Sequence, residues 1–361
     1  MLITALVFFI ILSILVLVHE LGHYTVARMI GVHVEEFGFG LPPRIWGKKI
    51  GRTIYSINWL PIGGFVRLAG EDEADMHPHV KGKLKEYFFA RSKKERAAIL
   101  LAGVTMNFIL AVGITTYLLT QGTYETAGRV HVEKVLAGSP AQTAGMQNGD
   151  IITEAEEDGG GDFKKIVVPA DLITFTKTHA GQPVTVTIVR NGQTLTITLT
   201  PRKQFPKGEG PMGVAISDLE LKKYDIVHAP GQAVVINLGR ARDMFVGLAT
   251  VVGRLFQLKP VGADVAGPIG IAQVTGQAVK FGFNAVLEFM SILSLNLAIL
   301  NVLPIPALDG GRLLFVILEK VIGRKIGAAF ERNTHQIGMI ILLALVALIS
   351  INDILRLAHG G

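Results

Sequence analysis

The chain opens with MLITALVFFIILSILVLVHELGH, residues 1–23, and this stretch decides how the rest is read. Residues 2–18 carry no charge. At 1.5 Å per helical residue the first 18 would span about 27 Å, close to the thickness of a bilayer core. No basic segment precedes the run, and it ends in His19-Glu20-Leu21-Gly22-His23 rather than a small-residue cleavage site, so it reads as a membrane helix and not a signal peptide. Residues four apart share one helix face. His19 and His23 would therefore offer two imidazoles to one Zn²⁺, with Glu20 beside them as general base. A structural histidine pair is the alternative, but ionisable groups at such depth are costly and usually functional.

Composition agrees with a membrane protein: 50% of residues are hydrophobic and only 18% charged. The chain has no cysteine, which removes disulfides and thiolate ligands and leaves His, Asp or Glu to hold a metal. The net charge of +6 does not point to nucleic acid, because the Lys and Arg are scattered through loops beside apolar spans. Four spans are expected, at about 1–24, 97–119, 284–303 and 336–356. A further stretch, 232–258, is apolar but interrupted by Arg240, Arg242, Asp243 and Arg254, and reads as an amphipathic helix at the membrane interface.

Between the first two spans lies a strongly basic segment that includes Arg28, Lys48, Lys49, Arg52, Lys93, Lys94 and Arg96. Positive loops favour the cytoplasmic side, which puts the HELGH end near the cytosol and the loop 120–283 outside the cell. That loop contains alternating apolar runs at 130–135, 184–189 and 195–199, which read as strands, with Asn191-Gly192 as a hairpin turn. Gly138 to Ile152 resembles the strand, helix and turn core of PDZ domains in bacterial proteases, its short helix running Ala141 to Ala144. Gly210 to Ile216, with Met212, Gly213 and Val214 at its centre, looks like the carboxylate-binding loop of such a domain. A steric gate is the other use open to it. Glu154 to Lys165, rich in Gly and acidic residues, is expected to be a mobile insertion.

The third metal ligand is sought in the third span. Asn296 and Asn301 interrupt its apolar sequence, and Pro304-Ile305-Pro306-Ala307-Leu308-Asp309-Gly310-Gly311 then breaks the helix. Irregular backbone at membrane depth is tolerated only where it lines a cavity or is buried in protein. Asp309 would complete a set of three protein ligands, which leaves the fourth position of a catalytic zinc open. A plain helix cap is its other reading.

Taken together, these residues make the chain resemble a site-2 protease, in the bacterial regulator-of-sigma-E branch with a single extracytoplasmic PDZ insertion. The likeness rests on His19, Glu20 and His23, on Gly38-Phe39-Gly40, on Gly63-Gly64-Phe65-Val66-Arg67-Leu68, on Gly103 and Asn107, on Gly267-Pro268-Ile269-Gly270, and on Asn301 through Gly311. The best-known enterobacterial enzyme of that branch has tandem PDZ domains, whereas the space here holds one. The resemblance implies a polytopic α-helical protein of the bacterial inner or plasma membrane, with about four transmembrane helices, a membrane-reentrant β-hairpin and an inserted α+β PDZ domain. Its parts would be a first half of the catalytic core at 1–126, the PDZ domain at 127–217, an interfacial helix and linker at 218–283, and a second half of the core at 284–361.

The implied activity is zinc-dependent peptide hydrolysis inside the membrane, with one Zn²⁺ per chain, ligands His19, His23 and Asp309, and Glu20 as catalytic base. Substrates would be single-span proteins: an anti-sigma factor already trimmed by a site-1 protease, or remnant signal peptides. A membrane helix must be unwound before water reaches its carbonyls. Gly63, Gly64, Phe65 and Val66 are expected to form a hairpin edge that pairs with the extended substrate, and Asn301, Asn296 and Asn107 to bind its backbone. Helix packing by the Asn amides and a small-residue contact at Gly103 are the competing explanations. Two other functions stay open: a membrane-anchored hydrolase of soluble peptides, and a nonenzymatic adaptor that uses its PDZ domain.

Overall fold

The computed structural model describes residues 2–71, 84–157, 163–206, 208–257 and 267–358. The chain divides into two compact units, one formed by Met1–Leu118 with Asp225–Gly361 and the other by Leu119–Tyr224.

In the first unit, α1 (Leu2–Ile30), α2 (Lys93–Gln121), α7 (Phe283–Val302) and α9 (Ala328–Ala358) are the four helices, among the described residues, long and apolar enough to cross a membrane. Three of them run past the limits expected from hydropathy. α1 continues through Arg28 until Gly31 (φ +88°) stops its backbone, and α2 begins with the charged turn Lys93–Arg96, ahead of its apolar run. The predicted amphipathic stretch forms α5 (Ala229–Phe256). Its buried face carries Asn237, whose Nδ2 donates to Thr115 Oγ1 of α2 at 3.0 Å. Asn237 thus docks α5 against the bundle. The linker that follows contains an unforeseen α6 (Pro268–Phe281), whose first turn donates Gly270 N–H to Asp353 of α9 at 2.9 Å.

Spans α2 and α7 are joined by polar contacts in an otherwise apolar interface: Thr115 meets Ser291 at 3.1 Å, Ser291 donates to Ala111 O at 3.1 Å, and Ser294 donates to Asn107 O at 2.8 Å. Such bonds contribute about 0.6 kcal/mol each in membrane interiors, so they fix rotation and register more than they stabilise. Close packing does the rest. A Cβ on Gly22 of α1 would lie 2.4 Å from Ala102 O, so α1 and α2 cross nearly backbone to backbone.

Between α1 and α2 the chain forms a long antiparallel hairpin of β1 (Val34–Ile50) and β2 (Thr53–Leu68). It is far larger than the edge expected from residues 62–68. Its base packs on α1 and helps enclose a core of Ala27, Val34, Leu68, Phe88, Ile99 and Val316. The last of these lies on α8 (Asp309–Ile322), held at its far end by an ion pair between buried Glu319 and buried Arg96 of α2.

The second unit is a six-stranded antiparallel sheet. Its strands are β3 (Thr123–Val135), β4 (Ile151–Glu157), β5 (Lys164–Lys165), β6 (Val184–Arg190), β7 (Gln193–Leu199) and β8 (Val214–Lys222). The order is β7-β6-β4-β3-β8, with β5 on β4. α3 (Pro140–Thr143) and α4 (Pro169–Thr178) flank it. Ser139 caps α3 by accepting Gln142 N–H. Asn191 and Gly192, both at positive φ (51° and 81°), make the expected tight turn between β6 and β7. This unit is wider than residues 127–217 because Thr123–Thr126 pair with Leu219–Lys222 in an antiparallel ribbon. The segment expected to be a mobile insertion is strand at both ends, Ile151–Glu157 and Lys164–Lys165, while 158–162 lie outside the described residues.

Candidate active site

Asp309 Oδ2 lies 2.9 Å from His19 Nε2 and 3.1 Å from His23 Nε2, and the two imidazole nitrogens are 3.2 Å apart. Two elements distant in sequence produce this triangle. One face of α1 supplies the histidines, and the first residue of α8 supplies the carboxylate after the chain turns through Leu303–Leu308. All three belong to one group that could hold a metal ion.

The donor set and its geometry fit zinc. With bonds of about 2.0–2.1 Å, neighbouring ligand atoms of a tetrahedral Zn²⁺ stand about 3.3 Å apart, close to the sides of this triangle. Protonation points the same way. His23 Nδ1 is 2.8 Å from the carbonyl oxygen of Ile99, which can only accept, so the proton sits on Nδ1 and Nε2 keeps its lone pair for a cation.

His19 is held from behind by Asn107, whose Nδ2 stands 3.2 Å from Nδ1, while Asn107 Oδ1 is buried without a partner. A half-turn of the amide exchanges the two atoms. Oδ1 then accepts the Nδ1–H of His19, leaving Nε2 free to ligate. Asn107 is fully buried on α2 and faces the back of a histidine, a different place from the substrate cleft expected for it. Gly103, one turn earlier, lets α2 reach the imidazoles at all: a Cβ there would lie 2.4 Å from His23 Nε2 and 2.6 Å from His19 Cε1.

A cavity of about 870 Å³ opens beside the triangle, lined by Glu20, His23 and Asp309 together with Phe65, Val66 and α9 residues that include Gln336. Glu20 Oε2 accepts the backbone N–H of Val66 at 3.1 Å, so the carboxylate is oriented by the hairpin. At the cavity wall Arg312 is paired with Glu71. The structure therefore brings His19, His23, Asp309, Glu20, Phe65 and Val66 together.

Other expected site residues lie elsewhere. Gly63 and Gly64 are buried against Val16 and Leu17 of α1. Asn301 is buried at the end of α7, but Asn296 is exposed on the opposite side of that helix. In the second unit Met212 is part of the hydrophobic core and Val214 packs against it. Gly213 N–H donates to Gly210 O at 3.1 Å, so that amide is already used within the loop.

A buried two-histidine, one-carboxylate triangle beside a glutamate, set among apolar helices, defines a membrane metallohydrolase by the chemistry it can support. Comparison of the whole sequence narrows the class. The profile of peptidase family M50 matches residues 7–345, and the chain belongs to this family of zinc metalloproteases. It is 34% identical over 345 residues to a relative from Clostridium perfringens, covering 95% of this chain and 96% of that one. It is similar as well to zinc metalloprotease RasP of Shouchella clausii, 30% identical over 437 aligned residues covering 98% of this chain and 99% of the relative. The zinc metalloprotease RasP of Geobacillus kaustophilus is 28% identical, with 96% of each chain covered.

Proposed function

We propose that this chain is an intramembrane protease that hydrolyses peptide bonds within or near the transmembrane segments of single-span proteins. The observation that carries the reading is the position of His23, Asp309 and Glu20: they line one cavity together with residues of membrane-length helices and of β2. A hydrolase of soluble peptides would have no need to sink its ligands among such helices.

Bound Zn²⁺ would supply Lewis acidity toward the scissile carbonyl and toward water. The chain's own residues do the rest. His19, His23 and Asp309 hold the ion, and Asn107 and Ile99 O set the tautomers of the two histidines. Glu20, oriented by Val66 N–H, takes the proton of the attacking water and returns it to the leaving amine. Phe65 and Val66 line the cavity at the edge of a two-stranded sheet, which supports strand addition by an unwound substrate; the hairpin would then act as a reentrant element within the membrane.

The triangle lies at the end of the bundle where α1 leaves and α2 and α9 enter, the end that also carries Arg28, Lys93, Lys94, Arg324 and Lys325. Positive residues favour the cytosol, so cleavage would take place near the cytosolic face of a bacterial plasma membrane. The unit Leu119–Tyr224 follows the other end of α2, which supports an extracytoplasmic PDZ domain. Its expected peptide loop has a buried Met212 and a spent Gly213 amide, and this favours a size filter over a recruiter. Suitable substrates would be an anti-sigma factor trimmed outside by a site-1 protease, and signal-peptide remnants.

Co-expression with tagged single-span candidates tests the reading. The intact chain should release a fragment cut within or beside the span, whereas Glu20→Gln should keep its zinc and release none. Near-normal cleavage by Glu20→Gln, or cleavage of soluble peptides alone, would refute it.

A further inference from the structure

The turn that delivers Asp309 is strained, and something outside it must hold it. Ala307, two residues before the carboxylate, adopts φ +79°, a left-handed conformation that is strained for a residue with a Cβ. Bonds inside the turn, such as Leu308 N–H to Ile305 O at 3.2 Å and Gly311 N–H to Leu308 O at 3.0 Å, leave the N–H of Ala307 pointing out. Its partner comes from the last helix: Ala307 N–H donates to His335 Nδ1 of α9 at 2.9 Å.

Two further contacts sit around that bond. The His335 ring packs on Phe315 of α8, with centroids 5.6 Å apart and Phe315 itself buried. Three residues along α9, a Cβ on Gly338 would lie 2.3 Å from Pro306 Cβ and 2.9 Å from its carbonyl carbon, so α9 lies directly on the turn. Elsewhere this helix is sparsely packed. Only 6% of its apolar window is buried, against 22–39% in the other three spans. Apart from the Gly270–Asp353 bond to α6 and the contact of Phe330 with Phe315, it is His335 and Gly338 that bring α9 onto the turn itself.

We propose that His335 is a positioning residue for the metal centre: by accepting the Ala307 N–H it holds the left-handed turn that aims Asp309, and so ties ligand geometry to the docking of α9. Gln336 and Met339 of α9 also line the cavity, so the contact that sets the ligand also closes the chamber. The bond requires an acceptor at Nδ1. Asparagine can place its Oδ1 there, whereas glutamine carries its oxygen one bond too far. Leucine offers no acceptor.

The inference rests on His19, His23 and Asp309 being the zinc site, and the test separates the two. Full-length zinc-loaded enzyme in detergent is mixed with a chromophoric chelator and the rate of zinc loss is followed, beside kcat and KM for a single-span substrate. Wild-type protein without zinc, or His19→Ala with a full complement, would sink the site reading and this inference with it. Given a zinc-loaded wild type, His335→Leu should lose zinc about tenfold faster or more, as removal of ligand-orienting groups does elsewhere, with kcat reduced and KM little changed. His335→Asn should stay near wild type. Gly338→Ala, which leaves the imidazole in place but pushes α9 off Pro306, should also speed zinc loss. If His335→Leu does not fold, the contrast of slow loss in His335→Asn with fast loss in His335→Gln carries the test. Zinc loss at the wild-type rate in His335→Leu or Gly338→Ala, or equal loss in the Asn and Gln variants, overturns the proposal. So does a fall in kcat with zinc retention unchanged, which would put His335 on the substrate instead.

Discussion

Replacing Gly103 with alanine adds one methyl group, and the structure says where it goes. The new Cβ would stand 2.4 Å from His23 Nε2, 2.6 Å from His19 Cε1 and 2.8 Å from His19 Nε2, where ordinary contact begins near 3.4 Å. The worst overlap is about 1 Å, and it falls on both imidazole rings at once. Neither side can retreat cheaply. The α2 backbone is already pressed against Gly22, and each imidazole is fixed from behind, by Asn107 or by Ile99 O. Overpacking of this kind costs about 1–3 kcal/mol in stability. The larger effect is on function, because displacing a reacting or ligating group by about 1 Å can lower the rate by about a hundredfold. Gly113→Ala on the same helix is the control, since a Cβ there meets nothing within 4 Å and should change stability by no more than about 1 kcal/mol. Zinc per chain measured by plasma mass spectrometry, with initial cleavage rates, reads both variants. Wild-type zinc content and turnover in Gly103→Ala would show that α2 does not approach the histidines as described, and the site geometry would have to be redrawn.

Asn107→Leu should weaken zinc binding by about 10- to 100-fold in chelator competition, while Asn107→Asp, which keeps an oxygen facing His19 Nδ1, should largely restore it; equal affinities in all three proteins would remove Asn107 from any role behind His19. In the second unit, burial pushes the Asp150 carboxyl up, but hydrogen bonds from Arg190 and from Gln147 N–H outweigh it and hold the group below its usual range. A carboxylate with a lowered folded-state pKa stabilises above its unfolded value near 4, and this contribution is lost as pH falls through the lower folded value. Asp150→Asn should therefore cost about 2 kcal/mol at pH 7 and progressively less below pH 4, read by hydrogen exchange of residues 130–199 in the full-length protein. A difference between the two proteins that does not change with pH would contradict that account.

Four spans and one metal motif were legible from sequence because each is a local property, a run of apolar residues or two histidines one turn apart. Helix ends were less so, since α1 runs on past Arg28 to Gly31 and α2 begins in the charged turn Lys93–Arg96. β1 was missed for a related reason. Its outer part, from Leu41 to Ile50, is exposed on every residue and interrupted by Pro42 and Pro43, so it shows no alternation to read.

The three asparagines mark the boundary between what spacing can and cannot decide. Asn296 and Asn301 are five residues apart, about 140° around a helix, so one of them had to leave any shared face, and that much was available from the numbering alone. Asn107 is different. Its spacing from Gly103 places both on one face of α2, but whether that face meets substrate or a ligand's back depends on how deeply α2 sinks toward α1. Only the Gly22 and Gly103 contacts settle it. His335 lies further still beyond a linear reading, because a lone histidine in a polar stretch of α9 carries no pattern. Its meaning appears only when the chain folds Ala307 into a conformation whose exposed N–H needs an acceptor, and that need originates twenty-eight residues away. The side chains of the triangle are written in motifs, while the contacts around them are written in the packing between elements.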